Sequence, residues 1–309
     1  MANELKINRL PAKTWNWLHV NETKLEWDLE QTQWQAEETI FAAAGEQKAP
    51  VQLSITGEHA YNGKRVHLRA EENSSMTVLM DLRTAAHLAV HTEVQAESNG
   101  KIRLIQIQYT GEQSVLYSDI QGVCGAGGQI ELIQIFLGKG DVYADCTVNL
   151  VGDGSDFQAD MGYLAQKTQK LDMNTVVNHI GKKTTSRIQA DGALKDSAEK
   201  LFRGTIDFKQ GASESEGNEQ ENVILLGEDI VNRTVPLILC AEESVVGNHG
   251  ATIGELDDDL LFYFESRGID RKTAENMMAR AALDRLIRLI DDESVRETAE
   301  RQLEEVLVS

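Results

Sequence analysis

Residues 248–270 read NHGATIGELDDDLLFYFESRGID, and the change of pattern inside them divides the chain. The first half is polar and glycine-rich, reads as a turn, and presents one histidine, His249. The second half is helical: Leu260, Leu261 and Phe264 share one face, and Asp257, Asp258 and Asp259 sit in a first turn, where the helix dipole favours negative charge. Arg267 closes that helix, with Gly268 as the left-handed residue beyond it. Asp270 then caps a second helix, along which Ala274, Met277, Met278, Ala281 and Leu286 trace an apolar stripe. A third, acidic amphipathic segment runs over 292–307.

Upstream, from Val51 to about Val246, short β-rich runs such as VQLSITG, KIRLIQIQYTG and GQIELIQIFLG are cut by Gly, Asn and Asp. Ile102, Leu104 and Ile107 against Arg103, Gln106 and Gln108 fit a strand with one buried face. About ten such runs suit a sandwich, a barrel or a solenoid, and no repeat of fixed length stands out to choose among them. Residues 1–45 hold all four tryptophans (Trp15, Trp17, Trp27, Trp34) and read as strands packed on the end of the β region.

With 309 residues and 26% charged side chains, the chain has the composition of an ordered protein with a sizeable core. A net charge of −20 argues against nucleic acid and anionic membranes as partners. No apolar run approaches the ~20 residues of a membrane span and the first residues lack a signal-peptide core, which points to a cytoplasmic protein. Cys124, Cys146 and Cys240 are odd in number and widely spaced, so they read as reduced thiols and not as a disulfide frame or zinc ribbon.

The order of elements in 248–270 resembles the C-terminal signature of the SufB/SufD family, on whose members iron–sulfur clusters are assembled. In SufD members it runs His-Gly-Ala-Thr-x-Gly, a short acidic spacer, an aromatic pair, then Ser-Arg-Gly-Ile, and each part is present here. ENVILLGEDIVNRTVPLILCAEESVV (221–246) is similar to the family's last strands, RKTAENMMARAALDRLIRLI (271–290) to the helix after its Arg-Gly, and LPAKTWNWLHVNE (10–22) to the segment entering its core. His249-Gly250-Ala251 replaces SufB's His-Glu-Ala, and Glu221 stands where SufB carries a cysteine, so the chain is SufD-like at both places.

The resemblance implies a mainly β fold: a right-handed parallel β-helix over 46–254, preceded by the Trp-rich segment 1–45 and followed by a C-terminal helical segment over 255–309. It implies a non-catalytic scaffold that handles a transient iron–sulfur cluster or iron, beside SufB or a second copy of itself. Nucleotide hydrolysis would come from the ABC-type ATPase SufC, since no phosphate-binding G-x-x-x-x-G-K-[ST] loop occurs. Many family members have a longer helical N-terminal domain, and the resemblance implies a short form without it.

His249 matches the SufD histidine at the contact with SufB, and an imidazole is an iron ligand. Cys240, nine residues earlier, supplies a thiol suited to iron or persulfide, although SufD proteins commonly hold an aliphatic residue there, and a buried strand cysteine is the alternative reading. Phe262, Tyr263, Arg267 and Gly268 fall in the segment that docks SufC. Residues 213–221, SESEGNEQE, read as an exposed acidic loop, and Asp153, Asp156 and Asp160 as a solvated loop. Two other readings remain: a SufB-like homodimeric scaffold in which Cys240 and His249 both ligate, and a β-helix carbohydrate-active enzyme, for which −20 is a poor charge.

Overall fold

A left-handed turn residue recurs at one corner of successive coils and fixes the architecture. Asn73, Asn99, Gly127, Gly154, Lys183 and Glu214 all have φ between 55° and 68°. Each donates its N–H to a carbonyl of the next coil: Asn73 to Ser98, Asn99 to Ala126, Gly127 to Asp153, and onward to Glu214 with Ser244, at 2.6–3.0 Å. Asn and Gly tolerate this conformation best, which is why they punctuate the β runs.

The computed structural model describes residues 3–28, 30–255 and 258–308. Between the turns lie two parallel sheets that take alternate strands, forming a β-solenoid of about eight turns. The first sheet contains β3 (Gln33–Trp34), β4 (Glu38–Ala42), β6 (Tyr61–Ala70), β8 (His87–Ala96), β10 (Val115–Cys124), β12 (Asp141–Leu150), β14 (Lys170–His179), β16 (Glu199–Phe208) and β18 (Val231–Cys240). The second contains β5 (Val51–Thr56), β7 (Ser75–Thr84), β9 (Lys101–Thr110), β11 (Gln129–Gly138), β13 (Asp156–Ala165), β15 (Thr185–Lys195), β17 (Ser215–Leu226) and β19 (Val245–Glu255). The step between in-register partners varies, from 26 residues between Tyr61 and His87 to 32 between Glu199 and Val231. That variation hides the repeat from any search at fixed period.

The interior between the sheets is packed by inward residues such as Leu68, Val90, Leu104, Phe136, Phe157 and Phe202. Both outer faces are also covered. On the first sheet, β1 (Asn3–Ile7) and β2 (Thr23–Trp27) pair antiparallel and lay Ile7, Leu25 and Trp27 over Ala89 and Tyr143. Leu10 and Val20 cover Leu201. Trp27 is therefore buried, its indole donating to Thr32 at 2.9 Å, while Trp15 and Trp17 are exposed. The Trp-rich segment thus covers a face and not an end, and its last part, β3 and β4, already belongs to the solenoid.

On the second sheet lie α2 (Arg271–Ile287) and α3 (Glu293–Val308), and α1 (Asp258–Ser266) packs on α2. Leu283, Ile287, Leu303 and Val306 pack on Ile105, Ile133, Ile135 and Leu164. This corrects the reading of β9 as buried on one side. Ile105 and Ile107 face the helices, while Gln106 and Gln108 point into the solenoid with Leu104, so the strand is buried on both faces. The α2 stripe is corrected too: Ala274 and Leu286 are buried, but Met277 and Ala281 are exposed and the packing face runs through Ala279, Leu283 and Ile287. Gly162 marks the closest approach, since a Cβ there would stand 2.7 Å from Leu283 Cδ2.

Polar contacts hold the helices in place. Arg285 donates to Asp160 (3.0 Å) and Asp191 (2.7 Å), and Arg187 also pairs with Asp160 (2.5 Å). Asp160 is therefore a buried strand residue and not part of a solvated loop. The expected helix ends are present. Gly268 has φ +80° and Ile269 N–H reaches Phe264 O at 3.0 Å, while Asp270 accepts from Thr273 N–H at 2.8 Å. Leu261 is buried and Leu260 and Phe264 half-buried on the shared face. Asp257 lies outside the described residues. No helix among them is long and apolar enough to cross a membrane.

Candidate functional site

On the second sheet the helical cover ends before the stack does, while on the first sheet Leu10 and Val20 still reach Val235 and Leu237 of β18. β18 and β19 form the last coil, each paired on one side only, with β16 and β17. Nearly every residue of β19 is exposed, and β18 is only half-buried. Exposed edges are ordinarily blunted by charge, proline or a covering loop. β18 has Arg233 and Pro236, but Val245–Gly254 of β19 contains no Lys, Arg, Asp or Glu in a chain that is 26% charged. The coil's backbone groups and its inner face are thus presented to an incoming strand.

His249 lies in this strand and not in a turn. The glycines around it suggested a turn, yet Gly247 has another role: a Cβ there would stand 2.9 Å from Ile238 Cγ2 and 3.1 Å from Phe208, so glycine lets the two sheets close on each other. Parallel in-register pairing carries the facing of β17 onto β19. Ser215, Gly217, Glu219, Glu221 and Val223 face inward, so Val245, Gly247, His249, Ala251 and Ile253 do as well. His249 stands above Glu219 at the solenoid's open mouth.

Cys240 is exposed at the end of β18, in register with Phe208. Gly247 faces Ile238 across the mouth, which puts His249 two residues to one side of that layer and Cys240 two residues to the other. Four strand residues span about 13 Å, so the two share the mouth without sharing an ion in this arrangement. Cys124 and Cys146 are buried, and burial pushes the Cys124 thiol up to about 12 and Cys146 higher still. They are inert packing groups. No cluster of three or more metal-ligating side chains occurs among the described residues.

Beneath the mouth lies a polar group that the sequence reading placed in a loop. Residues 215–226 form β17, and Glu219 and Glu221 point inward with 4% and 0% exposure. The charge run SESEGNEQE looks solvated, but small or acidic residues at 215, 217, 219 and 221 alternate with the period of a strand. Glu221 pairs with the fully buried Lys200, accepts from Tyr163 Oη at 3.1 Å, and accepts from the Thr234 hydroxyl at 2.5 Å. Burial pushes the Lys200 ammonium down, with Glu221 opposing. Tyr163 is held far above its usual range by burial and by Glu221.

Glu219 has no such partner. Burial and the neighbouring Glu221 raise its carboxyl to about 8, Lys200 opposing, and its Oε2 is buried with no hydrogen-bond partner. Room for it comes from Gly204 across the interior, where a Cβ would stand 2.5 Å from the carboxyl carbon.

At the helical end, Phe262 and Tyr263 are 72% and 53% exposed. The Arg267 guanidinium lies 5.1 Å from the Tyr263 ring centre, a cation–π contact that stiffens the pair, and Gly268 ends the helix beside them. These aromatic side chains project from the surface of the helix that follows β19 in the chain.

Comparison with known proteins fits this geometry. Residues 53–282 match the family described as SUF system FeS cluster assembly, SufBD core domain. The chain is 25% identical over 233 residues to the iron-sulfur cluster assembly protein SufD of Bacillus subtilis, covering 74% of this chain and 53% of that protein. It is 23% identical over 237 residues to SufD of Escherichia coli, covering 75% and 56%. It is 28% identical over 249 residues to an iron-sulfur cluster assembly SufBD family protein of Synechocystis sp., covering 75% and 52%. The chain spans about half the length of these relatives.

Proposed function

The chain belongs to the SufBD core family of the SUF iron–sulfur cluster assembly system, and on that premise we propose that it is a SufD-type scaffold subunit whose last coil is the joining edge. β18 and β19 pair with the last coil of a SufB-type chain, bringing His249 and the mouth beneath it against the partner's donors. Iron and sulfide are cargo at that junction. The unguarded β19 edge carries this reading, because a one-sided strand free of charge from Val245 to Gly254, on a chain of net charge −20, is fitted for pairing and not for solvent.

Nucleotide chemistry belongs to a SufC-type ATPase, for which Phe262, Tyr263, Arg267 and Gly268 offer an exposed aromatic contact. Its ATP-driven movement of the helical segment would strain the adjacent coil and open the junction. The setting is the cytoplasm. In this reading the subunit positions cargo and the partner hydrolyses ATP.

The test is anaerobic co-purification of the chain with SufB-type and SufC-type proteins of the same source, followed by iron and sulfide assay of wild type and His249→Ala. Assembly with both partners, and a fall of tenfold or more in cluster content on His249→Ala, is the expected result. Failure to retain either partner would leave the fold standing and the scaffold role refuted.

A further inference from the structure

We propose that Glu219 and His249 form a half-site for one divalent metal ion of the first transition row, Fe2+ in the assembly reaction, and that this chain contributes the metal ion and not the sulfur. The inference rests on the scaffold reading above and adds a residue to it.

Glu219 is 4% exposed and its Oε2 has no hydrogen-bond partner among the described residues. The nearest buried cation, Lys200, is engaged by Glu221 and Thr234. A buried carboxyl group left without partners destabilises a fold, and a core position this close to the mouth would accept Gln, Leu or Met with less loss. The site is also built to hold it. Gly204 vacates the facing position, where a Cβ would meet the carboxyl oxygens at 2.6 and 2.7 Å.

His249 is the in-register neighbour of Glu219 on β19, and adjacent strands stand about 4.8 Å apart. Both side chains face inward, so a bound ion would draw an imidazole nitrogen and a carboxylate oxygen together at the open end. That donor pair suits Fe2+, Co2+ or Mn2+ and leaves several coordination positions for the chain that closes on this edge. A persulfide sulfur would need the thiol of Cys240, which lies about 13 Å along the strands.

The experiment is titration of the purified, metal-free chain with Co2+, a spectroscopic stand-in for Fe2+, read by visible absorption and by the ion-dependent rise in Tm. Wild type is expected to bind one ion per chain saturably. Glu219→Gln and His249→Ala should each weaken binding at least tenfold and abolish the Tm rise, and Cys240→Ser should stay within twofold. Gly204→Ala alters no donor but intrudes on the carboxyl, so it should weaken binding as well; it carries the test if Glu219→Gln does not fold. Absence of saturable binding by wild type, or affinity within twofold of wild type in Glu219→Gln, overturns the proposal. Since the isolated chain is used, these results are separate from whether the SufB-type and SufC-type partners are retained.

Discussion

Lys200 and Glu221 sit wholly inside the solenoid, and each is tolerable only because of the other. Removing one charge leaves its partner desolvated, whereas removing both leaves an apolar cavity wall. Lys200→Met should therefore lower stability by about 3–5 kcal/mol in urea denaturation, and Lys200→Met with Glu221→Leu should recover most of it. Equal losses in the single and double variants would refute the pairing. His179 gives a pH signature. It is fully buried between the hydroxyls of Thr184 (2.7 Å) and Ser186 (2.8 Å), and burial lowers its pKa to about 4. Below about 6.5 the unfolded chain takes up a proton that the folded chain refuses, so this contribution is full above 6.5 and lost as pH falls toward 4, with a slope approaching 1.4 kcal/mol per unit. The difference in stability between wild type and His179→Gln should shrink across that window; a constant difference would contradict it. His249 was legible in the sequence because its neighbours form a signature. Glu219 was not, since a carboxylate in a polar run looks solvated until its strand has a register.

At the scale of elements, the helices are held to the second sheet by an apolar seam with polar clamps at its sides. Leu283→Ala should cost about 2–5 kcal/mol, being fully buried where α2 crosses Gly162. Asp270→Ala should cost less than that, through the lost cap. Both are checked by thermal denaturation, and a loss for Leu283→Ala below that for Asp270→Ala would mean the helix is not seated on the sheet. Helix ends were legible because caps are local chemistry: Gly268 and Asp270 signal them in two residues. Helix faces were not, because Met277 and Ala281 fit the helical period as well as Ala279 and Leu283 do. What decides between them is the sheet beneath. Inversion of β9 has the same origin, since alternation shows that two faces differ but not that both are covered.

At the scale of the whole molecule, the solenoid was named by its resemblance and not by its periodicity, because coils of 26 to 32 residues keep register through left-handed turn residues and need no shared sequence. The molecule that results has both broad faces covered and β19 of its last coil bare. The central claim is that this coil is the joining edge, and hydrogen–deuterium exchange of the chain, alone and with its SufB-type partner, tests it most directly. The account predicts that amides of β18 and β19 exchange fast in the isolated chain and become protected in the complex, with the inner coils unchanged. Protection confined to other surfaces, with 231–255 still exchanging freely in a formed complex, would contradict it.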